Sequence, residues 1–211
     1  MPPRIRGRSL WQRAKFWPRV PGARKEVHML SLRWALIACL FPALALAQEV
    51  TNTSYVTSAG DRVLRIEFII PEARSEAWKL FTTAQGLKKW AAPVVAIDYR
   101  IGGRILTNYD QAKSLRDPGT IRLPILNYLE EEMITLKVNL NDKFPADLRR
   151  QDGNLQEIIQ LQDLGDGRTH ITSSMLGWGT GAHWDKAYSF FAAGNAWTYQ
   201  QLVANFQHGA L

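Results

Sequence analysis

Apolar and polar residues alternate along "DRVLRIEFII" (61–70), with Leu64, Ile66, Phe68 and Ile70 on one side and Arg65 and Glu67 on the other. A period of two is that of a strand with one buried face. Pro71 ends it. Pro also suits the first turn of a helix, and "EARSEAWKLFTT" follows with Ala77, Leu80 and Phe81 on one side. "GLKKWAAP" (86–93) predicts a second short helix closed by Pro93, with Gly86 separating the two. "VVAIDYRI" (94–101) turns at Gly102-Gly103 into "RILTNYD" (104–110), a hairpin pattern. "GTIRLPILNYL" (119–129) and "EMITLKVNL" (132–140) flank an acidic corner at Glu130–Glu132, and Pro124 points to an edge or a bulge. Residues 142–153 predict a loop. "NLQEIIQLQDL" (154–164) and "RTHITSSML" (168–176) are joined by "GDG", a tight-turn pattern. A long aromatic-rich helix follows over 183–206, opened by the glycines of "GWGTG" (177–181), which suit a strand-to-helix turn.

The order is strand, two helices, a meander of six strands and a long C-terminal helix. Sequential antiparallel strands covered by a helix make an α+β domain. The chain resembles the SRPBCC superfamily, the START-like helix-grip fold, in the branch related to the activator of heat-shock-protein ATPase. The residues that carry the resemblance are "IEFIIPEARSEAWKLFTT" (66–83), "DYRIGGRI" (98–105), "GTIRLPILNYLEEEMITLK" (119–137), "GDGRTHI" (165–171) and the closing helix with Trp184, Trp197 and Leu202. It covers residues 61–207. The resemblance implies a curved antiparallel sheet wrapped around the long C-terminal helix, with a cavity between them.

The helical period of 3.6 places Trp184, Tyr188, Phe191, Asn195, Thr198 and Leu202 on one stripe. Most of this stripe is apolar and must face the sheet. Asn195 sits in its middle, where burial without a partner is costly, and Tyr188 and Thr198 add hydroxyls. An apolar cleft with a few convergent polar groups is the form of a small-molecule site. Ordinary core packing is the competing reading of the same rings. Alternation along the strands adds Tyr99, Tyr109, Leu123, Ser173 and Met175 as candidate walls. Trp90 and Trp178 lie near loop ends and are candidates for the rim.

Composition sets one end of the chain apart. The formal charge is +7 at pH 7, from 26 Lys/Arg and 19 Asp/Glu. Residues 1–47 hold nine of those bases and one acid, Glu26, which leaves 17 bases and 18 acids, a net −1, for 48–211. A nucleic-acid partner is therefore not expected for the folded part. Arg33, the apolar run from Trp34 and "ALA" at 45–47 form a secretory signal over 29–47, with cleavage expected after Ala47. The run, about 14 residues, is short for a bilayer span. Membrane contact is expected only through this segment. Residues 1–28 read as an upstream extension and 48–60 as a polar linker. "LIAC" (36–39) looks like a lipoprotein processing box, but the run continues apolar beyond Cys39. A chain cut after Ala47 contains no cysteine and depends on no disulfide.

No catalytic set, cofactor motif or metal-ligand spacing stands out. His28, His170, His183 and His208 include no i, i+4 pair. "GWGTG" lacks the Lys-Ser/Thr ending of a phosphate-binding loop, and no Gly-x-Ser-x-Gly elbow is present. The expected function is binding of a small apolar or amphipathic ligand outside the cytoplasm. Two alternatives follow from the resemblance: a cyclase- or dehydratase-type enzyme using His170, Asp98 or Tyr109, and a chaperone-activator-like interaction module. The secretion signal argues against the second.

Overall fold

The computed structural model describes residues 49–209. The upstream extension 1–28 and the signal segment 29–47 lie outside the described residues. Within the described residues, no helix is long and apolar enough to cross a membrane.

Among the described residues, nine strands and four α-helices follow one another. They are β1 (Thr51–Asn52), β2 (Tyr55–Val56), β3 (Arg62–Ile70), α1 (Arg74–Thr82), α2 (Ala84–Lys88), β4 (Val94–Asp98), β5 (Arg104–Asn108), β6 (Ile121–Leu129), β7 (Met133–Lys137), α3 (Ala146–Arg149), β8 (Gln156–Asp163), β9 (Thr169–Leu176) and α4 (Ala182–Gln207). The sheet runs β1-β3-β9-β8-β7-β6-β5-β4, with β2 also pairing β3. Every pairing is antiparallel. This is the expected α+β helix-grip architecture, an antiparallel sheet folded about the long last helix.

The apolar face of β3 is buried as its alternation requires: Leu64, Ile66, Phe68 and Ile70 are all in the core. The core has two parts. One contains Phe68, Trp78, Phe81, Ile125, Ile171, Tyr199 and Leu202. The other contains Leu64, Val138, Leu148, Leu155, Met175, Trp184 and Ala187.

Several local expectations are corrected. The expected linker 48–60 is tied to the sheet along part of its length: Thr51 and Asn52 pair with Glu67 and Ile66, and Tyr55 and Val56 with Val63 and Arg62. The open edge of β3 supplies unpaired backbone groups that this polar stretch satisfies. Gly86 does not separate α1 from α2. Thr83 does, in extended backbone, and its hydroxyl accepts from the Gly86 N–H. Gly86 lies inside α2 because a Cβ there would stand 2.0 Å from the Lys79 carbonyl oxygen. The loop 142–153 contains α3. Of the two alternatives for Pro124, the edge fails and the bulge holds: it stands in an interior strand opposite Arg104, with a register shift directly after it between Ile125 and Asn127. The glycine turn before α4 is used as expected. Gly177 has φ +84°, and a Cβ on it would meet the Asn154 carbonyl oxygen at 1.9 Å.

Candidate ligand-binding site

Between α4 and the sheet lies a cavity of about 760 Å³. Ile105, Leu123, Leu136 and Ile159, from four successive strands, line its sheet side. Phe81, Leu87 and Trp90 close one end, and Phe191, Gly194, Asn195, Thr198 and Tyr199 cover it from α4. The helix sequence explains the space. Trp184 and Ala187 anchor its first turns in one core, and Tyr199, Leu202 and Val203 anchor its last turns in the other. From 188 to 198 no residue is fully buried. The run "AAGNA" (192–196) offers only small side chains there. Phe190, Trp197 and Tyr109 also line the cavity while remaining 59%, 58% and 58% exposed, so apolar rings stand at its mouth. Lys113, Asp117 and Lys143 line it from the flanking loops.

Seven of the twelve residues singled out from sequence line this space: Trp90, Tyr109, Leu123, Met175, Phe191, Asn195 and Thr198. Five do not. Trp184 is 2% exposed, edge-on to Trp178 with centroids 6.3 Å apart. Trp178 donates its indole N–H to the Met175 carbonyl and packs on Tyr188. Tyr188 has the Arg62 guanidinium over its ring at 5.0 Å. Leu148 of α3 packs in the same core, so the space beneath the first turns of α4 is filled. Tyr99 lies beyond the end of β4, stacked on Tyr128 and edge-on to Trp78. Ser173 is 2% exposed and bonds to a wall residue instead of forming the wall.

That wall residue is Glu157. Its Oε1 accepts hydrogen bonds from Ser173 Oγ at 2.6 Å and from the Tyr199 hydroxyl at 2.9 Å. Burial raises the Glu157 pKa against the lowering effect of those two bonds. Burial, then the neighbouring Glu157, raises Tyr199 well above the ordinary tyrosine value. The signal for Glu157 was present in the sequence. Leu155, Glu157, Ile159 and Leu161 alternate as one face of a strand, and the other three are buried. A carboxylate within such a row is a buried polar group that needs partners.

Asn195 donates to the thioether of Met175 at 3.2 Å, a weak acceptor. The expected catalytic candidates do not converge. His170 faces away from buried Ile171 on β9 and pairs with Glu67 at 3.4 Å. Asp98 pairs with Arg100 at 3.0 Å on the surface, and Tyr109 stands at the mouth. Among the described residues, no group of three or more His, Cys, Asp or Glu is placed to hold a metal ion.

Residues 73–207 match the family model for "Activator of Hsp90 ATPase homolog 1-like protein". The chain belongs to that family. As an activator-of-Hsp90-ATPase-homolog-1-like protein it sits in the SRPBCC superfamily. It is similar in structure to CalU16 from Micromonospora echinospora, at TM-score 0.54 and 16% identity over 78% of this chain and 86% of that one. It is also similar to Aha1 from Colwellia psychrerythraea, solved as a dimer, at TM-score 0.54 and 12% identity over 68% and 95%. A third likeness is PFC0360w, an HSP90 activator from Plasmodium falciparum, at TM-score 0.50 and 12% identity over 68% and 91%. At these identities the shared property is the fold. No match was found among curated protein sequences.

Proposed function

We propose that this family member binds a small apolar or amphipathic molecule between its sheet and α4. The observation that carries the reading is the cavity of about 760 Å³. It falls within the roughly 300–1,000 Å³ of small-molecule sites and has their mixture of apolar walls and few polar groups. Interiors are otherwise close-packed, and an empty apolar void forgoes dispersion contacts that a ligand restores.

Asn195→Leu tests the reading. Its amide bonds only to a thioether among the described residues, so the change is expected to alter stability by less than about 1 kcal/mol. Binding of an environment-sensitive apolar dye is expected to weaken. A loss of about 1–3 kcal/mol in denaturant melts, with dye binding unchanged, would mean that the helix faces solid core.

We further propose that the molecule works outside the cytoplasm, on the strength of Arg33, the apolar run and "ALA" at 45–47. N-terminal sequencing of protein from its native source is expected to begin at Gln48. An intact Met1 or a lipid-modified Cys39 overturns the proposal. A role in activating a chaperone belongs to PFC0360w by its description, and export argues against that role here.

A second reading, an enzyme using the same cavity, draws on one observation. Glu157 and Tyr199 are two titratable groups meeting at the wall, an arrangement suited to general acid–base work. Incubating the co-purified molecule with fresh protein and separating the products by chromatography with mass detection distinguishes the two readings: a binder returns it unchanged, whereas an enzyme yields a second compound of different retention or mass.

A further inference from the structure

The hydrogen bonds at Glu157 are one-sided. Ser173 and Tyr199 both donate to Oε1. Oε2 has no hydrogen-bond or ion-pair partner among the described residues, although Glu157 lines the cavity. Lys113 and Lys143 also line the cavity, yet among the described residues neither forms an ion pair with the carboxylate. Burial disfavours the ionised carboxylate and the two donors on Oε1 favour it; a cation beside this half-buried group tips the balance towards the ionised form. Next to it stand packed aromatic rings. The Tyr199 ring, whose hydroxyl touches Glu157, stacks on Trp90 with centroids 5.7 Å apart, and both line the same space.

We propose that the cavity selects an amphipathic amine, with the ammonium group donating to Glu157 Oε2 and the apolar body lying along the sheet beneath α4. The proposal rests on the reading of the cavity as a ligand site and adds the class of ligand. An ammonium supplies both the missing donor and the missing charge. An alcohol supplies a donor without charge. A fatty acid brings a second carboxylate towards the first, and like charges at short range oppose binding.

The test uses the purified full chain at pH 7 and three probes of equal length: decylamine, 1-decanol and decanoic acid. Their affinities are read by displacement of an apolar dye and checked by calorimetry. Decylamine is expected to bind about tenfold tighter than decanol, because an ammonium adds ion-pair attraction to the hydrogen bond that a hydroxyl also makes with the carboxylate. Decanoic acid is expected to be the weakest. Glu157→Gln is expected to reduce the amine's advantage over decanol, read as the ratio of the two affinities in the same variant, to within about twofold. A crystal structure of the wild-type decylamine complex locates the nitrogen without any variant. Nitrogen at hydrogen-bond distance from Glu157 Oε2 supports the proposal, and nitrogen elsewhere overturns it. Decanol or decanoic acid equal to decylamine overturns the amine preference and leaves the ligand site standing. An amine advantage that survives in Glu157→Gln overturns the role of Glu157. Failure of all three probes to bind overturns both this proposal and the ligand-site reading beneath it.

Discussion

Trp184→Ala is expected to cost about 3–5 kcal/mol of stability and to leave binding in the cavity intact. The ring is 2% exposed and sits among Leu64, Leu148, Leu155 and Met175. It meets Trp178 edge-on and donates its indole N–H to Gln151 Oε1 at 3.3 Å. Truncation removes a large buried surface and leaves a void among these neighbours. Denaturant melts are expected to show a lower midpoint at unchanged slope, with dye affinity altered by less than about twofold. A small stability change with loss of dye binding would return Trp184 to the cavity wall, where the helical stripe alone had put it.

Gly194→Trp is expected to do the opposite. The glycine lies within α4 and lines the cavity, and a Cβ added to it meets no atom within 4 Å. A large side chain there grows into open space instead of into packed neighbours. Dye affinity is expected to fall on the order of a hundredfold, which corresponds to about 2.8 kcal/mol of lost binding. Stability is expected to hold or rise. Gly194→Ala is the control: it adds only a methyl group and is expected to stabilise the helix by about 1 kcal/mol while binding persists. Full binding by Gly194→Trp would place the ligand elsewhere, and severe destabilisation would show that the space is already filled.

The two helix substitutions mark where sequence reasoning reached and where it stopped. Helical period puts Trp184, Tyr188, Phe191 and Asn195 on one stripe but does not say what each one faces. The answer comes from distant segments: α3 and the 177–181 turn fill the space beneath the first turns, and small residues leave it open further along. The strands were legible because a half-buried strand must alternate, as β3 does. The same rule exposed Glu157, but only once its row was known to face inwards. Two-residue pairings such as Thr51–Asn52 carry no period at all, since they are decided by the open edge of another strand.

The pairing of β3 with β9 has a kinetic consequence. The first long strand lies beside the last, with Leu64 opposite Met175. The hairpins from β4 to β9 join neighbours in the chain and can form as it emerges. β3 has to wait for its permanent partner until almost all of the polypeptide has been made. Contacts of such long sequence separation slow folding towards milliseconds to seconds. During that interval the row Leu64, Ile66, Phe68 and Ile70 has neither β9 beside it nor α4 across it. A newly made chain therefore spends its longest delay with its most adhesive segment uncovered, and that segment is where a holding chaperone would act to most effect.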